Sequence, residues 1–239
     1  MPSGRRASRT RAFRTPTIAV INRSTLDLGV DFDALVPALQ RFVEDCFAPV
    51  WNTPCKLIKS KAQRAGAWAL VLLDKADPAD KDDEGYHFTK QGLPLGRVFI
   101  KDTLKQDDKV SVTACHELAE MLVDPGINLW SDGRGVEQYA YEVCDAVEEI
   151  EFKIDGIAMS DFVYPAWFEG FHKRGSVRFD YTGDCTRPFQ ILKGGYAQLR
   201  HGKRTWNIYG SKAKRKKFRR EDRAGHRSEF RKLEVDRVG

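Results

Sequence analysis

The chain has 239 residues, 41% of them hydrophobic and 11% aromatic, which is enough for one large domain or two small ones. No apolar run approaches the ~20 residues of a membrane span, so no membrane partner is expected. The formal charge of +6 is unevenly placed: residues 1–15 carry +5, residues 203–239 carry +9, and the body between them is left with −8.

Residues 1–15 are basic and lack periodicity, and they read as a disordered arm. No apolar h-region follows them, so a secretory signal peptide is not expected and the placement is cytoplasmic. Five scattered cysteines without a C-x-x-C point the same way, to a reducing compartment. Residues 17–21 (TIAVI) form a β-branched run that predicts a buried strand. Apolar residues at helical spacing predict a helix over 32–47. A second short strand is expected at 55–58. The continuous run 67–73 (AWALVLL) predicts a strand inside a sheet. Residues 74–85 are acid-rich and read as a loop, 85–96 as an irregular segment, and 97–100 as a short edge strand.

A helix is predicted from about Asp108 to Asp124, capped by Asp107 or Asp108 and stopped by Pro125. Val112, Cys115, Leu118, Ala119 and Leu122 form its core stripe. A second helix is predicted over 138–149, with Glu142, Asp145 and Glu149 on one face. Asp155-Gly156 between two apolar runs predicts a hairpin. Residues 170–200 read as short strands near 177–181, 189–192 and 196–199. The pattern as a whole is α+β, with domain limits at 16–205 and a basic, disordered tail over 206–239.

The chemistry concentrates on the 108–124 helix. His116 and Glu120 are four apart and stack on one helix face, where an imidazole nitrogen and a carboxylate can chelate one metal ion. Glu117 sits one step round, in the position of the general base of an H-E-x-x-H enzyme. A catalytic site needs about three protein ligands and an open position. Glu142, twenty-two residues past Glu120, is the first candidate for the third ligand and Asp145 the second. Asp145 could instead be an acceptor that fixes the His116 ring. Asp124 continues the row 116, 120, 124 and is a weaker candidate. The competing reading is a solvated His-Glu pair on a helix surface. Against it, Glu120 lies between Ala119 and Met121 in an apolar stretch.

Cys115 and Cys144 adjoin these blocks, but neighbours on a helix point about 100° apart, so both read as small buried hydrophobes. His87, His172, His201 and His226 are isolated and read as surface or structural residues, with His172 in reserve. Asp161 could support the site or simply turn the chain.

Three segments carry a resemblance: 114–126 (ACHELAEMLVDPG), 139–145 (YAYEVCD) and 160–168 (SDFVYPAWF). Together with 18–22 and 48–51, they resemble a group of mostly uncharacterised bacterial and phage proteins. That group has an S-H-E-x-x-E, D-P and E-x-C-D pattern and in turn resembles zincin-type metallopeptidases through the H-E-x-x helix. The likeness covers roughly residues 17–200. It implies a zincin-like domain, with a twisted mixed β-sheet packed on the active-site helix, a β-rich C-terminal part, and a cytoplasmic or virion setting. It also implies His116 and Glu120 as ligands, Glu117 as base, and Glu142 or Asp145 as the third ligand, acting on a peptide or protein substrate. Glu120 stands where zincins have a second histidine. This harder oxygen ligand weakens the preference for Zn2+ and makes Mn2+ or Fe2+ suitable. The run 212–220 (KAKRKKFRR) has the composition of a phosphate-backbone contact, with nucleic acid as partner, or of a solubilising tail. A non-catalytic, nucleic-acid-associated phage protein on a zincin scaffold is the alternative function.

Overall fold

The computed structural model describes residues 15–77, 83–133 and 135–217. In chain order the elements are β1 (Thr17–Asn22), α1 (Phe32–Arg41), α2 (Ala48–Trp51), β2 (Lys56–Lys59), β3 (Trp68–Leu73), β4 (Gly85–Lys90), β5 (Leu93–Phe99), α3 (Ile100–Lys105) and α4 (Val110–Val123). After α4 come β6 (Trp130–Asp132), β7 (Gln138–Ala140), β8 (Glu151–Ile154), β9 (Ile157–Ser160), β10 (Tyr196–His201), β11 (Arg204–Tyr209) and α5 (Lys212–Lys217). A π-helical stretch, Phe42–Phe47, joins α1 to α2, and single 3-10 turns lie at Asp145–Val147 and Pro165–Phe168.

The architecture is mixed α+β. The first sheet has the order β2-β1-β3-β5-β4, with β1, β2, β3 and β5 parallel and β4 antiparallel at one edge. The central strands β1 and β3 are buried along their length, which is why they read as unbroken apolar runs. A four-stranded sheet, β11-β10-β7-β6, and the β8–β9 hairpin follow. The main core gathers α1, the π-helical stretch and α4 around Phe42, Phe47 and Phe162. Phe42 and Phe47 stack on each other, and both meet Phe162 edge to face, at 5.6 and 4.8 Å.

Helix α4 is the centre of the packing. It lies against β4 and β5 on one side and β9 on another. Of its residues only His116 and Val123 escape full burial. A helix apolar on nearly every face belongs inside a domain. Glu117 and Glu120 are therefore interior carboxylates, and the reading of them as solvated surface acids does not hold.

Several expectations need correction. Residues 85–96 are not irregular. They form β4 and most of β5, joined by a tight turn at Gln91-Gly92, so β5 is interior and β4 is the edge. Helix α4 begins at Val110 with no side-chain cap, because Asp107 takes a positive φ of 66° and leads into a bend. No helix spans 138–149, where β7 pairs with β6 and β10 and a 3-10 turn carries Asp145. Residues 177–181 and 189–192 are not strands. They run as loops, with one isolated bridge from Asp180 to Val163. The folded body passes residue 205, since β11 pairs with β10 to Tyr209, and the run after it is helical over α5. The arm at 1–14, the tail beyond 217 and His226 lie outside the described residues. Among the described residues no helix is long and apolar enough to cross a membrane.

Candidate metal centre

Two turns of α4 and one 3-10 turn supply the first set of donors. His116 Nε2 lies 3.3 Å from Glu120 Oε1 and 3.3 Å from Asp145 Oδ1. Donor atoms of the three side chains all fall within 4.8 Å of one another, a spacing at which one ion could contact all of them. Four-residue helical spacing brings His116 and Glu120 onto one face. Asp145 arrives from across the interface, and two contacts fix its turn. The Cys144 amide donates to Glu120 Oε1 at 3.1 Å. Gly195 lies so close behind the turn that a Cβ there would stand 2.3 Å from the Ala146 carbonyl and 2.6 Å from that of Asp145.

A second set overlaps the first. His87, on β4, shares the site with Glu117 and Glu120, again with donors within 4.8 Å. Its Nδ1 is 3.7 Å from Glu117 Oε2, and its Nε2 is 3.1 Å from the Asp124 carbonyl oxygen. A carbonyl only accepts, so Nε2 carries the proton and the neutral ring presents the bare Nδ1 to the site. That is the usual support for a metal-binding imidazole. Glu117 Oε2 is buried and receives no hydrogen bond. Gly85, two residues before His87 on the same strand face, makes room for it: a Cβ there would stand 2.9 Å from Glu117 Cγ.

The electrostatics fit a cation. Burial alone would lower the pKa of His116, but the Glu120 and Asp145 carboxylates hold it well above the usual histidine value. Burial acts likewise on His87, yet Glu117, Glu142 and Glu120 raise it to about 9. Burial pushes Glu120 up to about 8, with His116 pulling against it and Asp145 and Glu142 adding to it. Protons on the histidines therefore neutralise this group when no other cation does.

The donors open into a cavity of about 340 Å3. Among the described residues ten carboxylates line it and no Lys or Arg does, so the field inside favours positive charge. Tyr86 and Ile127 also line it, and Ile127 holds a positive φ of 52°, a strained conformation for a β-branched residue.

The sequence-based site residues divide as follows. His116, Glu120 and Asp145 come together, and Glu117 stands beside them. Glu142 lines the cavity and adds its charge to His87 and Glu120, but it is not in either three-donor group. Asp124 faces away: its carboxylate accepts from the amides of Asn128 and Leu129 at 2.9 and 3.0 Å and holds the loop after α4. His172 pairs with Glu169 at 2.7 Å and lies outside the site. Cys115 and Cys144 are fully buried, and all five cysteines are free. His87 was missed because an edge strand offers no spacing motif. Its one signal was the alternation of Gly85 and His87, which puts both on the face toward α4. Comparison with protein-family models, curated proteins and solved structures finds no match for this chain.

Proposed function

We propose that the protein is a metal-dependent hydrolase of the zincin-like kind, acting on a peptide or similar amide. The observation that carries this reading is the convergence of His116, Glu120 and Asp145 beside Glu117, whose buried Oε2 has no hydrogen bond, at the base of an acid-lined cavity. The donors fit a metal ion. They combine imidazole and carboxylate, and the open cavity leaves room for water and substrate. Oxygen-rich ligation favours Mn2+ or Fe2+ alongside Zn2+. A bound ion would lower the pKa of water from about 16 to about 7 and polarise a carbonyl.

The chain's own residues do the rest. His116, Glu120 and Asp145 would hold the ion, and the Cys144 amide bonds the Glu120 oxygen that faces His116. Glu117 Oε2 is placed to accept a proton from water and pass it to the leaving amine, the ordinary role of a general base beside a metal. In its protonated form His87 neutralises part of the Glu117 charge from β4, and in its neutral form it could offer Nδ1 as a further ligand. Glu142 adds negative charge, which favours a substrate carrying a cationic side chain. Metal analysis of the purified protein tests the reading: one equivalent of Zn, Mn or Fe is expected, lost in His116→Ala. Metal-free protein that fails to take up any of the three ions would refute it.

A further inference from the structure

A second cluster of acids lies away from this cavity, where the chain turns after Phe179. Asp161 and Asp180 are fully buried, Asp184 is exposed, and donor oxygens of the three lie within 4.8 Å of one another. None of them lines the His116 cavity. Backbone pairing builds the cluster: the Tyr181 amide donates to Phe162 O at 3.0 Å and the Tyr164 amide to Phe179 O at 2.8 Å.

The hydrogen bonds do not satisfy this much charge. The Thr182 hydroxyl lies 2.8 Å from Asp161 Oδ2, 2.7 Å from Asp184 Oδ2 and 3.4 Å from Asp180 Oδ2, yet it has one proton to give. Asp180 Oδ1 is buried with no hydrogen-bond partner. No ion pair to the three carboxylates occurs among the described residues. Arg178, two residues away, donates instead to the Tyr181 carbonyl and lies over the rings of Tyr164 and Tyr181. Burial pushes the Asp161 pKa up to about 7, with the Thr182 hydroxyl pulling against it and Asp180 adding to it. A shared proton therefore relieves the crowding when no cation is present, while three backbone amides favour the ionised forms. Thr182 N donates to Asp161 at 3.2 Å, and Asp184 N and Cys185 N donate to Asp180 at 2.9 and 3.1 Å.

We propose that Asp161, Asp180 and Asp184, with the Thr182 hydroxyl, form a second site for a hard divalent cation, calcium by its donor set. Every donor is oxygen, and carboxylate oxygens no more than 4.8 Å apart can all reach one ion at the ~2.3–2.6 Å of calcium ligation. The exposed Asp184 side leaves room for the waters that would complete the shell. Such an ion would pin the 180–185 loop to the end of β9, the strand packed on α4.

The test is thermal melting of the full chain, stripped of metal, with Ca2+ or Mg2+ added. Terbium luminescence, excited through Tyr164 and Tyr181, provides a binding readout. Ca2+ at a hundredfold excess over its Kd should raise the melting temperature by about 5–10 °C. The shift should persist in His116→Ala, disappear in Asp180→Asn and shrink in the exposed Asp184→Ala, which leaves the buried pair intact. No shift or terbium signal up to about 10 mM would overturn the site, since even weak calcium modules bind by then. So would a shift that survives Asp180→Asn.

Discussion

Gly85→Ala tests how the edge strand and the base are fitted together. A Cβ at this position would sit 2.8 Å from the Arg97 carbonyl oxygen, 2.9 Å from Glu117 Cγ and 3.0 Å from Glu117 Oε1. One of these contacts is backbone of the paired strand β5, so the clash cannot be relieved by swinging one side-chain tip. Strand β4 must draw away from β5, and Glu117 must shift with it. Overpacking of this kind costs about 1–3 kcal/mol. For a chain of this size that lowers the melting temperature by about 2–12 °C. The donors His116, Glu120 and Asp145 lie on other elements, so metal content should stay near one equivalent. Any hydrolytic rate should fall by about 100-fold, the usual cost of a 1 Å misplacement of a reacting group. Calorimetry, metal analysis and a fluorescent-casein assay give the three readouts. Gly96→Ala is the comparison, because its nearest new contact at 2.9 Å is the Leu70 Cδ1 methyl, which can rotate. Gly85→Ala protein with wild-type melting and wild-type activity would refute the fit of Glu117 against β4.

Glu117→Gln should abolish hydrolysis, a loss of about 100- to 10,000-fold, while the metal stays bound; activity retained with metal present would remove Glu117 from the base role. Metal-free protein should melt lower at pH 9.5 than at pH 6. The folded pKa of His87 is about 9 against 6.5, and that of Glu120 about 8 against 4.5, so both bind protons more tightly when folded. Their stabilisation is present at low pH and lost as pH rises through 8–9, and equal melting at the two pH values would argue against the buried pairing. The basic run from Lys212 onward should shift DNA in gels with a steep salt dependence, absent from protein truncated after Gly210; a salt-independent shift, or one that survives truncation, would rule out the nucleic-acid contact.

The parts of the fold written in local chemistry were legible in the sequence. β1 and β3 announced themselves as unbroken apolar runs. Asp155-Gly156 marked the β8–β9 hairpin because both residues take positive φ, 51° and 80°, as a type I′ turn requires. The β4–β5 hairpin uses the same geometry at Gln91-Gly92, with φ of 52° and 78°, but Pro94 and Gly96 inside β5 disguised the strand. The 138–149 region has helical spacing of apolar residues. It is overruled by pairing of β7 with its neighbour β6 and with the distant β10, and by the bond from the Cys144 amide to Glu120; the last two are not local. The same holds for the site. His116, Glu117 and Glu120 share one helix and could be read together. Asp145 could be named only as an alternative, because the choice between it and Glu142 depends on where a turn closes. His87 depends on which face of an edge strand meets α4.

The glycine clamp behind Asp145 ties this site to the far end of the described chain. Gly210 N donates to Gly195 O, Gly195 N to Leu192 O, and Leu192 N to Ala146 O, at 2.9, 3.0 and 2.9 Å. Three backbone hydrogen bonds thus run in relay from the foot of α5 to the turn that aims the Asp145 carboxylate. The aspartate is set like the last tooth of a gear train: it keeps its place only while the C-terminal sheet stays meshed. Damage to the chain near Gly210 would therefore reach the candidate metal centre without touching any of its three donors.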